Sequence, residues 1–233
     1  MSEHSIEFND SSCDECGVYV FGGYAIPAPE RDITEYEIPG KDGVLTQDNG
    51  RYKPISIPVT MLFISDDEKT WNEDYTKVKR WLSAQNAELV LSDDSDYFYS
   101  CYYANIKTTK REALRFGKLS VEFYCSPYRY LKTGTSEYSA SAVEYNPYDE
   151  CRPIYMISGT GDCTLTVNDS ELTVTVSDDV TIDTERMVAY TSDGIANTSV
   201  SGDYDSLYLA AGDNTITITD GFTLTVIPNW REV

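Results

Sequence analysis

The sequence predicts a mainly β protein: an N-terminal β-sandwich or split-barrel-like domain with one packed helix and an extended hairpin arm, followed by a C-terminal β-sandwich. Three observations predict it. Only one stretch has helical apolar spacing, most of the remaining apolar residues recur with a period near two, and the charge changes abruptly along the chain. Residues 1–133 carry 22 acidic and 15 basic side chains, whereas residues 134–233 carry 17 and 3 and contain no lysine. The small, polar stretch TGTSEYSASA begins at Thr133. We therefore expect a first domain over 1–133, a linker over 134–147 and a second domain over 148–233.

The helix is expected over about 66–85. Ser65 followed by Asp66, Asp67 and Glu68 has the spacing of a capping box, in which the hydroxyl and the glutamate satisfy two of the first free amides. Trp71, Tyr75, Val78 and Leu82 then form one apolar face, Lys77, Lys79 and Arg80 suit the negative end of the helix dipole, and Asn86 provides a stop.

The rest of this part reads as strand. Tyr52–Ile64 alternates around Ile55, Ile57, Val59 and Met61, and 97–106 and 119–124 are rich in aromatic and β-branched residues. Between Pro27 and Pro58 lie Pro29, Pro39 and Pro54 with Gly40, Gly43 and Gly50, which excludes helix and predicts a long hairpin, projecting or folded on its own subunit. In the second part, Leu165 and Val167 pair with Leu172, Val174 and Val176 across Asn168–Ser170. Ile216 and Ile218 are expected to pair with Leu224 and Val226 across Asp220 and Gly221. Short strands at this spacing predict a sandwich or jelly roll.

The chemistry of the chain excludes more than it offers. A net charge of −21 argues against a surface that wraps phosphates. No window of about 18 apolar residues suggests a membrane span, and the first residues do not resemble an export signal. The sole histidine, His4, is expected in a frayed terminus, so a Ser-His-Asp or Cys-His mechanism has no imidazole to use. Cys13 and Cys16 have the spacing of half a zinc site, yet no second pair follows, and Asp14 and Glu15 beside them disfavour a thiolate. The six cysteines are expected to be reduced. Asp93, Asp94 and Asp96, or Asp203 and Asp205, read as turns rather than a calcium loop, and Gly159-Thr-Gly161 as a turn rather than a nucleotide loop. No cofactor or metal is expected, and no enzymatic activity. A second reading of the sandwich is a carbohydrate-binding module in which Tyr190, Tyr204, Tyr208 or Trp230 stack on sugar rings.

Ile38-Pro39-Gly40-Lys41-Asp42-Gly43, preceded by Tyr36 and followed by an alternating strand, resembles a stretch of the distal tail (Dit) proteins of long-tailed bacteriophages. The order of later segments is similar too: the 71–85 helix, the strand with Tyr102, Tyr103 and Ala104, and 121–130. Asn146-Pro147, Cys151-Arg152-Pro153, Ile182-Asp183, 211–214 and 228–231 resemble that family's galectin-like C-terminal domain. The resemblance implies a structural virion protein at the distal end of the tail, assembled in the bacterial host as a homo-hexameric ring. The implied partners are the tail tube protein, the tail-associated tip protein and receptor-binding or baseplate proteins. It also implies a channel, lined by the first domain, through which DNA passes without specific binding. By the same resemblance Ile38, Pro39, Gly40, Lys41, Asp42 and Gly43 belong to an arm that ties neighbouring protomers together.

Overall fold

Alternation of buried and exposed side chains along two long paired strands organises the first half of the computed structural model, which describes residues 4–233. The elements in order are β1 (Ile6–Phe8), β2 (Ser11–Ser12), β3 (Val18–Tyr24), β4 (Arg31–Glu37), β5 (Val44–Tyr52), β6 (Ile55–Ile64), α1 (Trp71–Trp81), β7 (Gln85–Leu91), β8 (Tyr97–Arg111) and β9 (Phe116–Leu131). The main sheet runs β2-β1-β7-β8-β9-β6-β3, and β4 and β5 form a separate two-stranded sheet. β6 and β9 pair without interruption from Ile55↔Cys125 to Ile64↔Phe116. Their inward residues Ile57, Val59, Met61, Phe63, Leu119, Val121 and Phe123 are essentially inaccessible to solvent. The expected strand from Tyr52 is divided at Lys53 and Pro54, where the chain passes from the hairpin into the sheet.

The helix presents the expected face, with Trp71, Val78 and Leu82 buried and Tyr75 packed beside them. Trp81 joins that face, donating its Nε1–H to the Phe8 carbonyl at 2.9 Å. Its start is not the expected capping box. The helix begins after Thr70 and runs 71–81 rather than 66–85, ending at Leu82; Asn86, with φ +51°, lies in β7. Ser65 is fully buried; its backbone N–H donates to the Arg115 carbonyl at 2.9 Å, and Arg115 donates its Nε–H to the Ser65 carbonyl at 2.8 Å. The Ser65 and Thr70 hydroxyls converge instead on Asp74 Oδ2, at 2.7 and 2.9 Å, and Lys77 Nζ pairs with Asp74 Oδ1 at 2.9 Å. Led by the Lys77 contact, these donors bring the Asp74 carboxyl down to about 2. The chain thus anchors its helix start through a first-turn carboxylate.

His4, expected to be frayed, is fastened: its Nδ1 lies 3.0 Å from Asp93 Oδ1 and its ring packs edge-on against Tyr24.

Two compact units are present, one ending at Arg129 and taking in Val233, the other running Tyr130–Glu232. The second contains β10 (Tyr138–Ser139), β11 (Tyr145–Asn146), β12 (Ile154–Ser158), β13 (Gly161–Val167), β14 (Ser170–Val176), β15 (Asp179–Asp183), β16 (Val188–Thr191), β17 (Gly194–Ile195), β18 (Val200–Gly202), β19 (Gly212–Asp213), β20 (Ile216–Ile218), β21 (Thr223–Ile227) and β22 (Arg231–Glu232). Residues 134–147 are not a free linker. β10 pairs with β21, β11 with β19, and Gly134 is buried against Trp230. One sheet runs β10-β21-β12-β15-β16-β17, a second β18-β14-β13-β20, and Tyr155, Ile157, Ile182 and Val226 of the first share a core with Leu165, Val167, Leu172 and Val174 of the second. The β13–β14 hairpin forms with Val167 opposite Ser170. The second expected hairpin does not form: β20 pairs with β13 and β21 with β12, so the Asp220–Gly221 turn carries the chain from one layer to the other.

Replacing Asp74 by Asn is expected to lower stability by about 1 kcal/mol at pH 7, allowing for partial exposure of the charge-assisted bonds it removes. A carboxyl held near 2 in the folded chain, against about 3.9 unfolded, stabilises above the unfolded value and loses that contribution as pH falls through 2, so the deficit should vanish between about pH 4 and 2 in urea titrations. Gly134→Ala places a methyl 2.6 Å from the Trp230 amide nitrogen, with backbone that cannot yield cheaply. It should destabilise the second unit by about 1–3 kcal/mol, read as a lower Tm.

Candidate functional site: the arm and its root

Residues 31–52 leave the first unit as a hairpin with no layer above or below it. β4 and β5 pair from Arg31↔Tyr52 to Glu37↔Val44, with an irregularity between Arg31 and Ile33, and no residue from Phe21 to Pro54 is buried. Ile38 to Gly43 forms the tip. Lys41 N–H donates to the Ile38 carbonyl at 3.1 Å, Pro39 sits second in that turn, and Gly40 third with φ +82°, where a side chain would be strained. This turn closes the hairpin.

A two-stranded ribbon without a covering layer is marginal in water. Here it also exposes apolar surface: Ile33, Tyr36, Ile38, Val44 and Leu45 are each more than two-fifths exposed, and Tyr36 and Leu45 sit directly opposite one another. Local polar contacts tie the two strands of the ribbon together. Arg51 Nε reaches Asp32 Oδ2 at 2.7 Å and holds its carboxyl below the usual range; Tyr36 donates to Gln47 Oε1 and Asn49 Nδ2 to Thr34 Oγ1. These contacts shape the ribbon without covering its apolar residues.

At the root of the arm a cavity of about 530 Å³ is lined by Ile26, Pro27, Pro29, Tyr52, Tyr99 and Pro127. Arg129 forms part of its wall, fixed by a 2.6 Å bond to Asp94 Oδ2 and by stacking over the Tyr97 ring at 4.5 Å. Arg31 covers the Tyr52 ring at 4.6 Å, and Tyr52 meets Tyr128 edge-on. Burial raises the Tyr99 phenol. Sequence reasoning did not single out this cavity, because Pro27, Tyr99 and Pro127 come from three separate segments that converge only by fold.

The remaining candidates are dispersed or structural. Cys13 is a core residue and Cys16 half-buried, in one 3₁₀ turn; burial pushes both thiols up, and the neighbouring Asp14 and Glu15 push the same way. Among the described residues no group of three or more metal-ligating side chains gathers. The other four cysteines are buried free thiols in the two cores, and burial takes Cys151 up to about 12. Asp203 accepts from the Asp205 amide, a turn contact. Of the four aromatics offered as sugar platforms, Trp230 is buried against Tyr148, Tyr204 is half-buried and donates to Asn197, Tyr208 lies beneath Arg152, and Tyr190 is exposed on β16. A groove lined by Asp162, Thr173, Thr175, Thr198 and Ser201 contains no aromatic.

Trypsin should cut the unassembled chain first after Lys41, at the exposed tip, leaving two fragments that mass spectrometry assigns.

Comparison with known proteins places this architecture. No curated protein matches the chain. Among solved structures, the Dit protein of phage SPP1, described as a paradigm of the hub adsorption apparatus in phages infecting Gram-positive bacteria, is similar over 98% of both chains, with a TM-score of 0.67 at 14% identity. The baseplate of phage P2, in its activated conformation with Ca, is similar over 95% of this chain and 97% of that one, with a TM-score of 0.48 at 8% identity. The family described as the phage tail protein N-terminal domain matches residues 1–127, more than half of the sequence. The chain therefore belongs to that phage tail protein family, and it is a structural component of the phage tail built on the Dit fold.

Proposed function

We propose that this protein forms a homo-hexameric ring at the distal end of a phage tail, where it joins the tail tube to the tail-associated tip protein and to baseplate or receptor-binding components. Its work is mechanical rather than catalytic. The observation that carries the reading is the arm: a ribbon with no covering layer and a row of exposed apolar side chains gains stability only when another surface covers it. Agreement with the Dit fold along nearly the whole chain supports the setting. In the ring each arm, with Ile38 to Gly43 at its tip, lies on the neighbouring protomer, and the first domain lines a channel.

DNA passes through that channel without specific binding. A chain at −21 repels a polyanion, and weak contact favours passage. The second domain carries the greater share of this charge.

Light scattering over a concentration series, with negative-stain images of the largest species, tests the reading. The expected outcome is a species of six times the 26.2 kDa chain mass with a central hole, favoured at high concentration. A chain that stays monomeric at every concentration, and in mixtures with tail tube protein, contradicts it.

A further inference from the structure

We infer that Cys101 and Cys125 are a dithiol that hydrogen peroxide oxidises to a cross-strand disulfide, an oxidative modification that ties β8 to β9 in the core of the first unit. The ring reading above plays no part in this.

The first argument is placement. β8 and β9 are neighbours in the main sheet, Cys101 sits opposite Ala87 of β7, and Cys125 sits opposite Ile55 of β6. The two thiols are hydrogen-bond partners, so Ala87, Cys101, Cys125 and Ile55 make one row across four strands, and all four belong to the same buried core. Paired strands lie about 4.8 Å apart, within the span of about 4.4–6.8 Å between the Cα atoms that a disulfide bridges. The bond can therefore form without moving a strand.

The second argument is reactivity. Cys125 donates its S–H to Cys101, whose own S–H donates to the Tyr103 carbonyl at 3.3 Å. The bond from Cys125 holds the Cys101 thiol below its ordinary value although burial opposes this, and the same bond, with burial, raises Cys125. At Cys13, Cys16, Cys151 and Cys163 burial raises the thiol. Cys101 is thus the readiest thiolate of the six, and its resolving partner stands beside it.

The third argument is access. Both sulfurs are shielded from solvent, which excludes a bulky oxidant. The cavity of about 530 Å³ at the root of the arm nevertheless has Tyr99, Pro127 and Ile55 in its wall. Tyr99 and Pro127 lie two residues from Cys101 and Cys125 along their strands, Ile55 is the strand partner of Cys125, and the Tyr99 phenol is close enough to Cys125 to feel its charge. A molecule little larger than water, such as hydrogen peroxide, can reach the side chains that pack on the pair. A phage tail component meets such oxidants once it has left the reducing interior of the cell.

The chemistry balances in two steps. The Cys101 thiolate attacks one peroxide oxygen; an S–O bond forms, the O–O bond breaks, and the departing hydroxide takes up the proton that Cys101 released. The Cys125 sulfur then attacks the sulfenic sulfur; the S–S bond forms, the S–O bond breaks, and the oxygen leaves as water with the Cys125 proton. Two thiols lose two electrons, and peroxide is reduced to two waters.

The test exposes the reduced full chain to hydrogen peroxide, then denatures it in N-ethylmaleimide and digests it with trypsin. Mass spectrometry should find residues 81–107 joined to residues 119–129 by one disulfide, with Cys13, Cys16, Cys151 and Cys163 alkylated. Ala28→Trp, at an exposed position of the cavity wall, should slow the reaction roughly tenfold while leaving the circular dichroism unchanged. Six alkylated thiols, at a peroxide dose that oxidises the same chain in urea, would overturn the assignment, as would a disulfide between any other two cysteines. An Ala28→Trp chain oxidised at the wild-type rate would overturn the cavity as the route.

Discussion

The pairing of β6 with β9 is the constraint on which the first unit depends. Ten consecutive pairs fix the register of two strands whose inward residues alternate without exception from Ile55 to Phe63 and from Leu119 to Cys125. A slip by one residue would turn all of these outward, so the hydrophobic pattern specifies the ladder strongly. Everything else attaches to it. The helix lays Trp71 and Tyr75 against Phe63, Phe8 packs edge-on to Phe123, and β3 extends the sheet beyond β6.

The arm is positioned by the same ladder. Its second strand ends at Tyr52, two residues before β6 begins, and Pro54 removes a donor at the junction. At its root the ribbon is fixed beside the ladder by Arg31 over the Tyr52 ring and by Tyr52 edge-on to Tyr128. The molecule therefore divides labour between a closed core and a ribbon whose apolar residues the core does not cover.

How much of this was legible in the sequence depended on whether a feature is local. The alternation of β6, the apolar face of α1 and the Asn168 turn need only near neighbours, and all three appear where expected. The hairpin of residues 31–52 was legible too, in the prolines and glycines that exclude helix between Pro27 and Pro58. Ser65 misled because its capping pattern is real in sequence and used otherwise in space: its hydroxyl goes to the Asp67 carbonyl and to Asp74, and Arg115, fifty residues on, donates to its carbonyl. Ile218 and Leu224 misled similarly, since a six-residue gap looks the same whether the chain returns to its own sheet or crosses to the facing one. The short motifs of the second half have a structural explanation. Asn146, Asp183, Asn214 and Arg231 are buried polar residues that tie loops, as when Asn214 bonds Ala210 through both its amide atoms. The root cavity had no sequence signal, because its walls are assembled from distant segments.

The central claim is that the ribbon is built to be covered by another copy. Electron cryomicroscopy of the assembled species, at a resolution that traces strands, tests it most directly. The account predicts density for residues 31–52 lying against a neighbouring protomer, with Tyr36 and Leu45 out of solvent. A ribbon found folded on its own protomer, or extending into solvent in a well-formed ring, would contradict it.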